Sequence, residues 1–342
     1  MRFKTGSTQT DVFSLLAHAE VAPKRASGLE RLAVIDWDSF RPTLLAHLDY
    51  SDKGKGGRPP WCPVLMLKVL ILQRFHGLSD EQTEFQLHDR LSFQRFVGLR
   101  LGDDVPDHST IWLFKETLGA AGMAAVFADF DAQLRAQGLL ASAGQIVDAS
   151  FVEAPKQRNT RAENAQIKRG ERPASFDENP PRACQKDTDA RWTIKGGRSY
   201  YGYKNHVKID AASKLIETSV TTPASVHDSQ TVAALLRESD RGKIFLGDSA
   251  FTGEPIAQLL ARYGLIADIC EKGTKTKPLT RAQKCENRKR NRWRARVEHV
   301  FGRIAQFGGD HFRRIGQARC EFENLLTNLT YNLDRYAYLR AP

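Results

Sequence analysis

Near residue 145 the hydrophobic period of this chain changes from roughly 3.6 residues to roughly 2, and that switch limits the folds open to it. Upstream, Pro63 opens a helix whose apolar residues Val64, Leu65, Leu67, Val69, Leu70, Ile71 and Leu72 run nearly all the way round, as a centrally buried helix requires, and Gly77 stops it. Ser79 precedes Gln82 at capping-box spacing for a helix carrying Phe85 and Leu87, Ser92 caps a short helix with Phe93, Phe96 and Val97, and Asp107, Ser109 and Thr110 offer caps for residues 111–118. Downstream, Ile146 and Val147 lead into Asp148, Ser150, Phe151 and Val152, a strand ended by Pro155. Residues 155–195 are polar and read as a long loop. Strands over 200–209 and 215–222 then flank the turn DAASK as a hairpin, followed by a helix over 229–238, a strand over 243–246, a helix over 254–263 and a strand over 265–270. The expected fold is α/β: an arm and linker over 1–57, a helical domain over 58–140, and a mixed sheet flanked by helices over 141–342.

Charge narrows the partners. Lys and Arg number 51 against 40 Asp and Glu, a net +11, and residues 271–342 hold 17 of the bases against 7 of the acids. An excess concentrated at one end favours a polyanion, because surface cations displace counterions from phosphate backbones. The cysteines Cys62, Cys184, Cys270, Cys285 and Cys320 are scattered without C-x-x-C spacing, which argues against a disulfide framework or a structural zinc site. The N-terminus lacks a secretory apolar core, and the densest apolar run, from Val64 to Leu72, includes Lys68 and is too short to span a bilayer. The expectation is a cytoplasmic protein with no membrane partner.

Three carboxylates stand out from the surface charges. Asp148 sits within an apolar strand, where an isolated carboxylate is costly unless a cation or metal pairs with it. Asp248 closes the run Ile244-Phe245-Leu246-Gly247 at the carboxyl end of its strand, where sheets with helical crossovers expose their sites. Glu298 lies in a basic helix over 281–304, whose residues Trp293, Val297, Val300 and Ile304 form one packing stripe; Glu298 sits at its margin, about 100° round from Val297. Residues 272–296 hold eleven Lys or Arg against the single acid Glu286. Arg288, Lys289, Arg290, Arg292 and Arg294 are thereby candidate DNA contacts. Converging carboxylates suit Mg²⁺ through hard oxygen ligands, with Mn²⁺ as a substitute, and a pair of such ions can activate a water or a 3′-hydroxyl and stabilise the leaving oxygen of a phosphodiester.

Each residue also has a plainer reading. Asp148 can hydrogen-bond a turn, Asp248 can cap the following helix, and Glu298 can pair with Arg294 one turn back. Lys204, His206 and Lys208 alternate along one strand and share a face, which reads as DNA contact or support of the site, or else as an exposed sheet face. Asp210 reads as a turn residue, Trp293 as packing, and Phe301 with the stripe Phe322, Leu325, Leu326, Leu329, Leu333 and Tyr336 as core.

Several ordered segments carry a resemblance. RPPWCPVLMLKVLILQRFHGLSDEQTEFQLHDRLSFQRFVGL and VPDHSTIWLFKETL, then IVDASFVEAP, YYGYKNHVKIDAASKLI, VHDSQ, FLGDSAFTG and RWRARVEHVFGRIAQFGG resemble the DDE transposases of bacterial insertion sequences, specifically the insertion-sequence-five-like group with an InsH-type N-terminal helical domain. The resemblance covers roughly residues 40–335 and implies a ribonuclease-H-like catalytic domain in which Asp148, Asp248 and Glu298 are the catalytic, metal-binding triad. It implies Mg²⁺-dependent cutting of element ends and joining of the 3′-hydroxyl to target DNA. The implied partners are double-stranded DNA, both terminal inverted repeats and target, with the chain a homodimer or higher on DNA. Arg294 matches the arginine of the family's tyrosine-arginine-glutamate-lysine signature, whereas Asn291 stands at the tyrosine position and Ala305 at the lysine position. Ser249, Ala250 and Phe251 also depart from the residues usual after the second aspartate. The missing lysine leaves two rivals to weigh, a catalytically silent DNA-binding protein derived from a transposase and a structure-selective nuclease of the same fold.

Overall fold

The computed structural model describes residues 28–48, 50, 59–140, 144–274, 276 and 278–341. Two compact units emerge, one formed from the chain up to Leu140 together with the chain from Leu325, the other spanning Ala141–Asn324. The expected divisions at 57 and at the C-terminus therefore shift. Leu32, Phe40 and Leu44 are fully buried, so residues 28–48 are part of the folded helical unit rather than an arm, and the chain beyond Leu325 belongs to that unit and not to the sheet. The stretches 1–27 and 51–58, which include most of the expected linker, lie outside the described residues.

In the helical unit, helices cover Arg41–His47, Pro63–Phe75, Asp80–Asp89, Leu91–Val97 and His108–Ala136. The second has Val64 to Leu72 buried throughout except at Lys68, whose ammonium lies 5.6 Å from the centre of the Trp37 ring. Ser79 and Gln82 form the expected reciprocal capping box. Ser92 does not cap: its helix starts at Leu91, which puts Ser92 inside the first turn. Asp107 does cap, its Oδ1 accepting the Thr110 N–H at 2.6 Å. The helix that follows runs well past residue 118, bending at Gly119, where φ is +59°. By length and composition alone this helix could cross a membrane, a feature that the shorter run at Val64 does not have. It also buries Lys115 and Asp131, and Lys115 pairs with Asp80 at 2.6 Å, which is how a core helix of a folded unit satisfies polar groups.

The second unit is built on six strands: β1 (Gly144–Glu153), β2 (Arg191–Lys195), β3 (Arg198–Asp210), β4 (Ile216–Pro223), β5 (Ile244–Gly247) and β6 (Ile266–Ile269). Their order is β2-β3-β1-β5-β6, with β4 also paired to β3. β3 pairs antiparallel with β1, β2 and β4, whereas β1–β5 and β5–β6 are parallel. The helix Glu254–Arg262 makes the crossover between β5 and β6, and the short helix Val232–Leu235 lies between β4 and β5. A central β1 with an antiparallel hairpin on one side and parallel strands on the other is the ribonuclease-H-like arrangement, a mixed sheet flanked by helices.

Pleating sorts the faces. Val147 and Phe245 pack with Val232, Leu235, Ile256 and Leu260, so alternation turns Ile146, Asp148 and Leu246 to the opposite face, where the helix Arg281–Gln306 contacts β1 and β5. Residues 155–195 are not one long loop. Helices Arg161–Lys168, Ala174–Glu178 and Pro180–Ala183 and strand β2 occupy them, the first held by a Thr160–Glu163 capping box, and Ile167 and Phe176 are buried. The helix expected over 229–238 is shorter, a 3-10 turn Asp228–Thr231 leading into Val232–Leu235.

Candidate active site

The parallel register of β1 and β5 sets Ile146 opposite Leu246. Two residues further along the chain from each stand Asp148, within β1, and Asp248, just past the end of β5, of the same parity and on chains that run about 4.8 Å apart where they pair. Gly247 permits the turn that follows, since a Cβ there would lie 2.9 Å from Cδ2 of Phe251 and 3.0 Å from Cε1 of Phe245. Asp248 takes the capping role its plainer reading anticipates, but on the 3-10 turn Ser249–Phe251, its Oδ1 accepting the Ala250 N–H at 2.7 Å.

Asp148 is largely buried, with 14% of its side chain exposed. Its Oδ1 accepts the Ala149 N–H at 2.8 Å and its Oδ2 accepts from Nη2 of Arg294 at 3.2 Å. Burial pushes its carboxyl pKa up, while the Ala149 N–H and the Arg294 charge pull it back and the negative charges of Asp248 and Glu298 push it up again. Asp248 and Glu298 thus both act on Asp148 electrostatically. Glu298 itself is exposed and, among the described residues, forms no ion pair; Arg294, its expected partner, turns to Asp148 instead.

The helix that delivers Arg294 and Glu298 begins with a Thr280–Gln283 capping box and buries Val297, Val300 and Ile304. Trp293 is a correction to the expected stripe: it is 49% exposed, with the Arg296 guanidinium 4.3 Å from its ring centre. The first turns of the helix project beyond the apolar contact, which begins only at Val297. Along this projecting part Arg290 pairs with Asp268 at 2.6 Å and Lys289 with Glu286 at 2.7 Å, whereas Arg288 and Arg292 are exposed without an ion pair among the described residues. Lys275 and Lys277 lie outside the described residues.

Lys204, His206 and Lys208 are not a DNA-contacting face. They pair across β1 with Phe151, Ala149 and Val147, which puts them on the sheet face opposite Asp148. Lys208 is fully buried, its Nζ 2.5 Å from Asp240 and 3.7 Å from Glu217; Lys204 donates to the Val226 carbonyl at 2.7 Å and to Asp228 at 2.8 Å; His206 Nε2 lies 2.8 Å from Thr222 Oγ1. The two lysines have found carboxylate partners inside the protein and His206 is buried against Thr222, so this face is taken up by internal contacts. Asp210 is the turn residue expected, its Oδ1 accepting from the Ala212 and Ser213 N–H groups.

Among the described residues, no three His, Cys, Asp or Glu side chains converge closely enough to hold a metal ion. The donor set still suits a hard divalent cation in kind and in charge: three carboxylates, mutually repelling, with one of them partly desolvated. Asn291, noticed in the sequence only as a departure, has a part in the site: its Oδ1 accepts from Nη1 of Arg294 at 3.3 Å and from Sγ of Cys270 at 3.4 Å.

An acidic residue within the central strand and another just past the carboxyl end of its parallel neighbour, facing an arginine-bearing helix on a ribonuclease-H-like sheet, define the class of protein. Residues 141–333, more than half of the chain, match the family described as Transposase DDE domain, and the chain belongs to the DDE transposases. Residues 21–117 match a second family, described as Transposase domain (DUF772), as in transposases of insertion-sequence type. No solved structure matches the chain.

Proposed function

We propose that this protein is a transposase of the insertion-sequence-five-like group that cuts phosphodiester bonds at the ends of its element and joins the freed 3′-hydroxyl to target DNA. The observation that carries the reading is the Ile146–Leu246 register, which brings Asp148 and Asp248 out together beneath the helix bearing Arg294 and Glu298. Asp148, Asp248 and Glu298 are the residues that would hold Mg²⁺, with Mn²⁺ as a substitute. When bound, the ion supplies Lewis-acid activation of the attacking oxygen and charge for the leaving one. The chain's own residues do the rest. Arg288, Lys289, Arg290 and Arg292 hold the DNA backbone along the projecting part of the helix, and Arg294 sits at the junction of backbone and carboxylates. DNA as substrate makes the protein cytoplasmic and nucleoid-associated, and two element ends call for at least a homodimer.

The test is Mn²⁺-dependent nicking and strand transfer on DNA carrying the terminal repeats. Wild type should perform both, and Asp148→Ala and Glu298→Gln should abolish both. Nicking without strand transfer would point to a structure-selective nuclease. A second reading, a catalytically silent DNA-binding protein, draws on Ala305 at the lysine position and on the separation of the three carboxylates. DNA binding with no metal-dependent nicking would favour it.

A further inference from the structure

Among the described residues, Arg294 is the cation paired with Asp148. Its side chain is 18% exposed, against 14% for Asp148, so the contact lies largely out of water. One guanidinium nitrogen is spent on Oδ2 of Asp148 and the other on Oδ1 of Asn291, while Nε is buried with no hydrogen-bond partner. Asn291 is in turn tied to Cys270 at the end of β6, so the fork is aimed from the sheet as well as from its own helix. A tyrosine hydroxyl at position 291 would stand further from the helix axis than this amide oxygen, so the departure from the family signature bears directly on where Arg294 points.

We propose that Arg294 is a latch on the metal site: in the DNA-free protein it neutralises Asp148 and competes with the divalent cation, and a DNA phosphate releases it. The argument rests on the assignment of Asp148 as a metal ligand made above. Oδ2 of Asp148 cannot serve the guanidinium and a divalent ion equally, and the two positive charges repel across a poorly solvated gap. A phosphodiester is the natural competitor for the fork, since a planar guanidinium matches two phosphate oxygens and its unpartnered Nε then gains an acceptor. With Arg294 drawn to DNA, Asp148 is left under the negative charges of Asp248 and Glu298 without its counter-charge, a state that favours the divalent ion. By linkage, DNA raises metal affinity and metal raises DNA affinity by the same factor.

The experiment measures Mn²⁺ affinity of the full chain, reading free Mn²⁺ by its paramagnetic resonance, with and without a short duplex carrying the element end. Wild type should bind Mn²⁺ weakly alone and about tenfold or more tightly with duplex, within the usual range of coupling. Arg294→Met should bind Mn²⁺ without DNA at about the duplex-bound wild-type affinity and gain little from duplex. Asn291→Ala, at an exposed position that tolerates truncation, should shift the DNA-free affinity the same way by less. Equal DNA-free affinities in wild type, Arg294→Met and Asn291→Ala, with binding lost in Asp148→Asn, would overturn the latch and leave the site assignment standing. Unchanged binding in Asp148→Asn would overturn both.

Discussion

His206 shows how a single buried side chain carries a pH dependence that has nothing to do with the reaction. It is 1% exposed on the face of β3 away from Asp148, and burial, opposed by Asp228 and reinforced by Lys204, pushes its pKa down from 6.5 to about 4. The unfolded chain therefore binds a proton below 6.5 that the folded chain refuses until about 4. Stability from this residue is complete above the higher value and declines as pH falls toward the lower one, by about 1.4 kcal/mol per pH unit and roughly 3 kcal/mol in all. Urea midpoints of wild type and His206→Gln, compared from pH 7 to 4, should converge as the pH drops; a constant difference would contradict the account. Beside it, Lys208 is enclosed with Asp240 and Glu217, all fully buried. Asp240→Ala leaves the ammonium undercompensated and should cost about 3–5 kcal/mol, read as a fall in urea midpoint at unchanged slope.

At the level of elements, β1 and β3 leave no room for a side chain at Gly202, whose φ is +145° and whose added Cβ would lie 2.2 Å from the Val152 carbonyl oxygen. Gly202→Ala must part the two strands at the end of the strand that carries Asp148. Calorimetry should register a loss of about 3 kcal/mol or more, combining backbone strain and a backbone clash. The strands that frame the site were legible because their apolar runs are short and bounded by turn residues, as in Ile244 to Gly247 before Asp248. Caps were legible at Ser79 with Gln82 and at Asp107, though not at Ser92, which lies inside its helix. The same signal at Thr160 and Glu163 passed unread because the surrounding segment is polar, and only two apolar anchors, Ile167 and Phe176, hold its helices down. Strand parity put Lys204, His206 and Lys208 together but could not say on which side of the sheet, and that depends on partners distant in sequence, Asp228 and Asp240. That Asp148 lies in a strand, Asp248 after a strand and Glu298 in the basic helix was readable; the Arg294–Asp148 contact, spanning 146 residues, was not.

For the molecule as a whole, chain order and folding units do not coincide. Leu325, Leu326, Leu329, Leu333 and Tyr336 are buried in the helical unit, where Tyr336 donates to Gln137 Oε1 at 3.1 Å. Burial of five such side chains at about 2 kcal/mol each is comparable with the whole stability of a typical domain. A chain ended after Asn324 should therefore lose hydrogen-exchange protection along Pro63–Phe75, a helix remote from the cut in sequence. Charge follows its own division. The net +11 is concentrated beyond residue 270, yet burial and pairing decide which of those cations can meet DNA. Arg288 and Arg292 are exposed and unpaired among the described residues, whereas Lys204 and Lys208 are enclosed with counter-charges. Each phosphate contact contributes about 0.9 to the slope of log affinity against log salt. Replacing both exposed arginines with alanine should flatten that slope by roughly 2, whereas Lys204→Met, tested on variants that retain native circular dichroism, should leave it unchanged. A slope altered equally by both sets would mean that DNA reads the opposite face of the sheet, and the placement of the nucleic acid along the basic helix would have to be abandoned.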